Sequence, residues 1–340
     1  MLMLRRSSTK AEPTPLDGRD ALLVDLDGVV YRGAEAIPFA VKSLVCASES
    51  LRVGYITNNA SRTDISVAGH LTTLGLAARP EDVVTSPQAA AVLLADMVSA
   101  GSTVLVVGGE GLSRELERGG FRVTRSAEDS PAAVVQGFAP TVGWEQLAEA
   151  SFALHTGIPW IATNTDWTIP VERGIAPGNG TLVSAVHTAV GRLPVVAGKP
   201  ERAIFDTATA RFGSTNPLVL GDRLDTDIAG ALAAGLDSAH VLTGVDRAKQ
   251  LLAADAKQRP RYIFRDLRDL HLPYPATTVA KNGTHSVRSA KVRLEGNTVV
   301  ILQTGNDETD LLRAACSVIW SSGRAIYGLT VPELLYLDRP

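Results

Sequence analysis

The sequence predicts an α/β protein built on a parallel sheet, with a large inserted α/β segment and a small ββα extension. Three observations predict this. From Ala21 onward, short apolar runs alternate with stretches of helical spacing, the pattern of a parallel sheet covered by helices. The block over 86–195 repeats that rhythm on its own, and after Pro275 the rhythm changes. At 340 residues the chain also exceeds one core of ordinary size, since roughly 150 residues make a domain.

Residues 1–19 read as a disordered tail, polar and proline-punctuated from Arg5 on. Ala21–Asp25 and Leu51–Thr57 are apolar enough to be strands buried on both faces. Ser61–Gly75 has helical spacing, with Gly75 as its stop. The inserted block reads strand Thr103–Val107, helix Glu110–Gly119, strand Ala132–Gln136, helix Trp144–Thr156, strand Trp160–Thr163 and helix Gly180–Val190. Its length of about 110 residues suffices for a domain of its own. Pro217–Gly221 is a further buried strand, followed by an Ala-rich helix to Gly235 and strands over Ser238–Leu242 and Arg261–Phe264. Val287–Leu294 and Thr298–Gln303 flank Glu295-Gly296-Asn297 as a hairpin, and Asp307–Ser321 is a helix capped by Asn306 or Asp307. That extension over 276–340 is too small to stand alone, so it is expected to pack on the rest or on another subunit.

Apolar residues make up 45% of the chain and charged residues 20%, a globular composition. The net charge of −3 provides no footprint for nucleic acid or an anionic membrane. No apolar run reaches the ~18 residues that span a bilayer. Arg5 and Arg6 follow the apolar start, the reverse of a secretory signal, so a cytoplasmic location is expected. Cys46 and Cys316 make neither a disulfide framework nor a metal cluster and are expected as buried small hydrophobes.

The sharpest feature is Asp25-Leu26-Asp27-Gly28-Val29-Val30-Tyr31, two acids directly after an apolar strand. Both then emerge at the carboxyl edge of the sheet, where open α/β sheets place ligands. Capping of the strand by a turn is the bland alternative. Thr57-Asn58-Asn59 ends another buried strand with a hydroxyl, amides and backbone N–H groups suited to phosphate oxygens, or merely a polar turn. Gly198-Lys199-Pro200 places a lysine before a helix, and Gly221-Asp222-Arg223-Leu224-Asp225-Thr226-Asp227 adds three acids after an apolar strand. A surface lysine and a helix cap at Asp222 or Asp225 would explain these singly. Together the residue types suit magnesium-dependent phosphoryl transfer. Mg²⁺ takes oxygen ligands and bridges carboxylate and phosphate, and acids gathered from several strand ends repel one another without a cation. One carboxylate can attack phosphorus while a second moves the proton.

At these residues the chain resembles the haloacid dehalogenase (HAD) superfamily of aspartate-dependent phosphatases. It is most similar to the NagD-like and 4-nitrophenylphosphatase-like branch, which carries a C2 cap. Asp-Gly-Val-Val-Tyr at 27–31, Thr57-Asn58-Asn59, Ala162-Thr163-Asn164-Thr165-Asp166 and Pro177-Gly178-Asn179-Gly180 carry the branch-level likeness. The resemblance covers about 20–272 and implies a Rossmann-like HAD core over 20–85 and 196–272 with the C2 cap over 86–195. It implies Asp25 as nucleophile and metal ligand, and Asp27 as general acid/base with its carbonyl on the metal. Thr57, Asn58 and Asn59 would hold phosphate, with Asn164 and Asp166 at the substrate. Lys199 would neutralise charge at Asp25, Asp222 would ligate Mg²⁺, and Asp227, with Asp225, would support them.

An acid at Asp27 favours a phosphatase or phosphomutase over a transport ATPase or a dehalogenase, and the large cap favours small phosphorylated metabolites. Glycerol 3-phosphate is the substrate expected from likeness to branch members, actinobacterial ones included. Phosphoglycolate, pyridoxal phosphate, nucleotides and aryl phosphates are alternatives, as are phosphotransfer to a second hydroxyl and non-catalytic ligand binding. Dimerisation through the cap is common in that branch, so a homodimer is one expected arrangement. Ala60 stands where the branch usually has Ser, and Gly137-Phe138-Ala139 departs from its usual Gly-x-Asp.

Weaker signals remain. Gly108-Gly109-Glu110-Gly111 lacks nucleotide-loop spacing and reads as a tight strand-to-helix turn. Gln303-Thr304-Gly305-Asn306 resembles an acyl-CoA loop without its full pattern, so acyl-CoA is not expected and a packing or dimerisation role is. Trp144, Trp160 and Trp167 are expected in the cap core, with pocket lining as the alternative for Trp167. The six histidines form no ligand spacing.

Overall fold

The computed structural model describes residues 12–171 and 173–336; most of the expected tail lies outside them. Six parallel strands form the main sheet in the order Tyr262–Phe264, Asp237–Val241, Leu218–Gly221, Ala21–Val24, Arg52–Thr57, Val83–Thr85. Ala21–Val24 lies at the centre and is wholly buried. From it the chain builds outward to one side, then returns to build the other, so strand order switches between Ala21–Val24 and Leu218–Gly221. The carboxyl ends flanking such a switch form a crevice.

A second parallel sheet has the order Val195–Val196, Trp160–Ala162, Ala133–Gln136, Thr103–Val107, Arg122–Thr124. The helix Ser86–Ala95 was not expected. It is started by Thr85, whose hydroxyl accepts the Gln88 N–H while the Gln88 side chain accepts the Thr85 N–H. This helix touches Arg202–Phe212 on the main-sheet side and Glu110–Arg118 on the other. Leu23 and Ile56 therefore share one apolar cluster with Leu94, Val104 and Val135. Thr168–Val171 and Gly174–Pro177 add an antiparallel hairpin, also unexpected because each arm is short and carries a proline.

The C-terminal extension is larger than the expected ββα unit. Thr277–Val279, Thr284–Val287, Ala290–Glu295 and Thr298–Gln303 form a four-stranded antiparallel meander. The expected strand Val287–Leu294 is broken by a turn at Arg288-Ser289, where Arg288 has φ 47°; arginine carries no turn signal. Helix Glu308–Ser321 crosses the meander, and Asp307 Oδ1 accepts its Thr309 N–H at 2.7 Å and Asp310 N–H at 3.2 Å. Leu311, Ala315 and Val318 pack with Leu251, Leu252 and Ile263, so the extension is seated on the main sheet. Buried Arg313 donates to Ile263 O at 3.0 Å from Nε, and Tyr274 Oη accepts the Ile263 N–H at 3.0 Å. The open edge of strand Tyr262–Phe264 is thus covered. Thr304, Gly305 and Asn306 line a cleft of about 920 Å³ between extension and core, together with Arg32, Arg247 and Arg265.

Several local expectations change. The helix expected from Ser61 begins at Asp64 behind a Thr63 cap, because Asn59 Oδ1 holds the Ser61 N–H and hydroxyl in a turn. Residues at the end of the expected tail are tied down: Pro13 O accepts the Tyr274 N–H, and Arg19 pairs with Asp237 at 2.6 Å. Cys46 is exposed while Cys316 is buried. Trp160 is buried, but Trp144 and Trp167 are 78% and 66% exposed. Among the described residues no helix is long and apolar enough to cross a membrane.

Candidate active site

The strand register sets the site. Val24 pairs with Leu220 on one side and Tyr55 on the other, so Asp25, Asp222 and Thr57 leave adjacent strands at one edge. A single π-helical turn, Leu224–Ile228, then brings Asp227 back over Gly221, with Asp227 Oδ2 accepting the Arg223 N–H at 3.1 Å. One oxygen from each of Asp25, Asp222 and Asp227, all three buried, lies within 4.8 Å of the others. Lys199 enters from the segment after strand Val195–Val196; its buried ammonium donates to Asp25 Oδ1 and, at 2.7 Å, to Asp227 Oδ1.

Three buried carboxylates face one buried ammonium, which leaves negative charge uncompensated in a medium that screens it poorly. Burial works against the Lys199 ammonium, but Asp227 and Asp25 outweigh it and hold it protonated. Burial, reinforced by Asp227 and Asp222, pushes the Asp25 carboxyl well up against the pull of Lys199. Burial and then Asp227 push Asp222 up to about 7. Asp222 Oδ2 receives the Val245 N–H at 2.6 Å, while Oδ1 is buried with no partner. A Cβ on Gly28 would lie 2.2 Å from Asp222 Oδ2, and one on Gly244 1.8 Å from it; these glycines leave room for the carboxylate between two backbones. A hard divalent cation fits this all-oxygen set, its excess charge and its orphaned oxygen.

A pH dependence follows. Without a cation, Asp222 binds its proton more tightly folded than unfolded, so it stabilises the fold below the ordinary carboxylate range. That stability is lost as pH rises towards about 7. Burial also raises Asp27, Asp166 and Glu115, which act in the same direction. In EDTA the thermal midpoint is expected to fall from about pH 5 to about pH 8, and excess Mg²⁺ should remove the part due to the cluster, because binding requires ionised carboxylates. A midpoint insensitive to Mg²⁺ at both pH values would contradict the fit.

Around the cluster, Thr57 is buried, and its Oγ1 accepts the Asn59 N–H at 3.1 Å. The Asn58 side chain is spent within the protein. Its Oδ1 accepts the Lys199 N–H at 2.8 Å, and its Nδ2 donates to Lys199 O at 3.0 Å and to Asp166 Oδ1 at 3.3 Å. Asn58 O accepts Asn164 Nδ2 at 2.8 Å, and Asn164 O accepts Asn179 Nδ2 at 2.7 Å. The amide expected to hold phosphate therefore ties Lys199 to the 164–166 loop, leaving only the Asn58 N–H for a ligand. Asn59 is likewise engaged with Ser61.

Asp27, two residues beyond Asp25 in the same turn, is solvent-exposed, unlike the three buried acids. The walls around it raise its carboxyl, opposed chiefly by Arg62. Asp225 does not join the cluster: it is exposed and pairs with Arg223 at 2.8 Å, because the π-helical turn points it outward. Sequence reading missed Val245 and Asp246, whose loop holds Asp222; Gly244 was the only available signal.

Known proteins resemble the chain in sequence and in fold. The sequence model for haloacid dehalogenase-like hydrolases matches residues 22–122, and a HAD-hydrolase-like model matches 196–270. A D-glycerol 3-phosphate phosphatase from Mycobacterium tuberculosis is 44% identical over 90% of this chain and 87% of its own length. An acid sugar phosphatase from Staphylococcus haemolyticus is 36% identical over 72% of this chain and 92% of its own. The crystal structure of the M. tuberculosis glycerol phosphate phosphatase in complex with magnesium superposes with a TM-score of 0.85 at 43% identity, covering 94% of this chain and 95% of that one. A p-nitrophenyl phosphatase from Archaeoglobus fulgidus follows with a TM-score of 0.69 at 28% identity, over 74% and 98% of the respective chains. With its strand-end acids, its buried lysine and these relatives, the chain belongs to the haloacid dehalogenase-like hydrolases.

Proposed function

We propose that this protein is a Mg²⁺-dependent phosphomonoesterase of small phosphorylated metabolites, with glycerol 3-phosphate as its substrate. The observation that carries the chemistry is the buried Asp25–Lys199–Asp227–Asp222 cluster with Asp27 standing free beside it. The substrate rests on the 44% identity to a D-glycerol 3-phosphate phosphatase over 90% of the chain. In this reading the main sheet over 20–85 and 196–272 is the catalytic core, 86–195 the cap, and 276–340 an extension packed against the core. The cytoplasm is its compartment.

Asp25, Asp222 and the Asp27 carbonyl would hold Mg²⁺, with Asp227 behind them. When bound, the ion supplies the positive charge that lets an anionic carboxylate approach an anionic phosphate. Asp25 attacks phosphorus, forming an O–P bond as the ester P–O bond breaks. Asp27, whose carboxyl is shifted by burial towards its protonated form, gives its proton to the departing alkoxide. It then takes a proton from water attacking the aspartyl-phosphate, so inorganic phosphate leaves and Asp25 is restored. Lys199 neutralises charge on Asp25, while the Thr57 hydroxyl and the Asn58 N–H bind the transferring group. Asp166, joined to Asn58, faces the leaving group from the cap side.

Phosphate release across a panel of phosphoesters tests the reading. Release is expected to need Mg²⁺ and to be fastest with glycerol 3-phosphate, ahead of phosphoglycolate, pyridoxal phosphate, sugar phosphates and p-nitrophenyl phosphate. Glycerol 3-phosphate ranking below unrelated esters would overturn the substrate alone. No release from any ester would overturn the chemistry.

A further inference from the structure

We propose that Asp246 is a positioning residue for Asp222 and thereby sets the affinity of the acid cluster for its divalent cation. The inference rests on the reading that Asp222 ligates that cation. It concerns a loop outside the strand-end motifs, Leu242–Arg247, which follows strand Asp237–Val241. Gly221 pairs with His240 in the sheet, so this loop leaves the strand beside the one that delivers Asp222.

Three groups of Asp246 are committed there. Its N–H donates to Asp222 O at 3.1 Å, its Oδ2 accepts the Leu224 N–H at 2.7 Å, and its carbonyl lies 3.0 Å from His240 Nε2. A carbonyl only accepts, so the fully buried His240 carries its proton on Nε2 and anchors the loop from below. One residue earlier, the Val245 N–H holds Asp222 Oδ2 at 2.6 Å. Oδ1, buried and unpartnered, is left as the free ligand atom. At the loop's other end, Thr243 Oγ1 donates to Gly28 O at 2.7 Å, and Thr243 O accepts from Arg32 at 2.7 Å. The loop is thus stitched to both acid-bearing turns.

The Asp246 carboxylate is the side-chain bond that ties this loop to the turn following Asp222. Without its bond to Leu224 N–H, the Val245 donor is no longer fixed against Asp222, and the carboxylate can rotate. Groups that orient a metal ligand in this way typically contribute 10–100-fold to affinity. Asp246 also carries negative charge, which would attract a cation wherever the side chain pointed. Asparagine separates the two effects, since it keeps the acceptor and loses the charge.

The test is Mg²⁺ titration by calorimetry on the full chain, with thermal midpoints in EDTA alongside. Asp246→Ala should weaken Mg²⁺ binding about tenfold or more, while Asp246→Asn should stay within about threefold of wild type. The EDTA midpoint of Asp246→Ala should fall because the buried Leu224 N–H loses its acceptor, while that of Asp246→Asn should not. A merely structural role would move the midpoint without moving the Mg²⁺ affinity of the folded protein. If Asp246→Ala does not fold, Val245→Pro deletes the N–H on Asp222 directly; the Val245 side chain is 63% exposed, and the same loss is expected. The proposal is overturned if the folded variant that lacks its hydrogen bond binds Mg²⁺ like wild type, or if Asp246→Asn loses as much as Asp246→Ala. A wild type that binds no Mg²⁺ would instead bring down the parent reading.

Discussion

Asp25→Asn is expected to lower phosphate release by about 10⁴-fold or more, the scale seen when a covalent nucleophile is lost. The amide fills the same space but has no anionic oxygen to form the bond to phosphorus. Its NH₂ also cannot accept from Lys199 if it faces the ammonium, so the amide oxygen must turn that way. Stability should move differently. The wild-type cluster holds three buried acids against one lysine, and the substitution removes one of the repelling charges while Asp227 still pairs with Lys199 at 2.7 Å. In EDTA near neutral pH, the variant should therefore melt no lower than wild type. Single-turnover phosphate release, mass analysis for a phosphorylated protein and a melt in EDTA check the three parts. Phosphorylation of the Asp25→Asn variant would show that another residue is the nucleophile.

The strand ends were legible because two physical requirements coincide in them. A strand buried on both faces must be continuously apolar, and a site at its carboxyl end must be polar at once. Ala21–Val24 followed by Asp25, and Leu218–Gly221 followed by Asp222, meet both. Where a segment is half-exposed or its turn lacks glycine or proline, that contrast disappears. Thr277–Val279 is wholly exposed and the Arg288-Ser289 turn is unmarked, so half the meander was invisible. Asp225 and Asp227 differ by two positions and look alike in sequence. The π-helical turn buries Asp227 beside Lys199 and leaves Asp225 to Arg223. Asn58 looked like a phosphate ligand because it follows Thr57, yet its amide is needed to close backbone groups of Lys199. Trp144 and Trp167 were expected inside from hydrophobicity alone, which does not distinguish the two faces of a helix's first turn or the base of a hairpin.

Lys199→Met should cost both activity and fold, and the size of each loss assigns the lysine's role. Met matches the length of the lysine stem but carries no charge. Asp25 and Asp227 would then face each other and Asp222 with no cation among the described side chains touching them. Breaking a buried ion pair by removing one partner typically destabilises by about 3–5 kcal/mol, because the remaining charge is left without compensation. The loss should be largest in EDTA at high pH, where the acids must ionise, and smaller with Mg²⁺ present. Phosphate release should fall by about 10³-fold, the scale of removing one preorganised donor from a developing charge. A second substitution separates the two roles. Asp227→Asn in the Lys199→Met background removes one stranded carboxylate, so denaturant melts should recover part of the stability. It restores no positive charge beside Asp25, so the rate should stay low. A double variant that regained activity along with stability would mean that Lys199 only holds the cluster together, and its ammonium would have no part in the transfer itself.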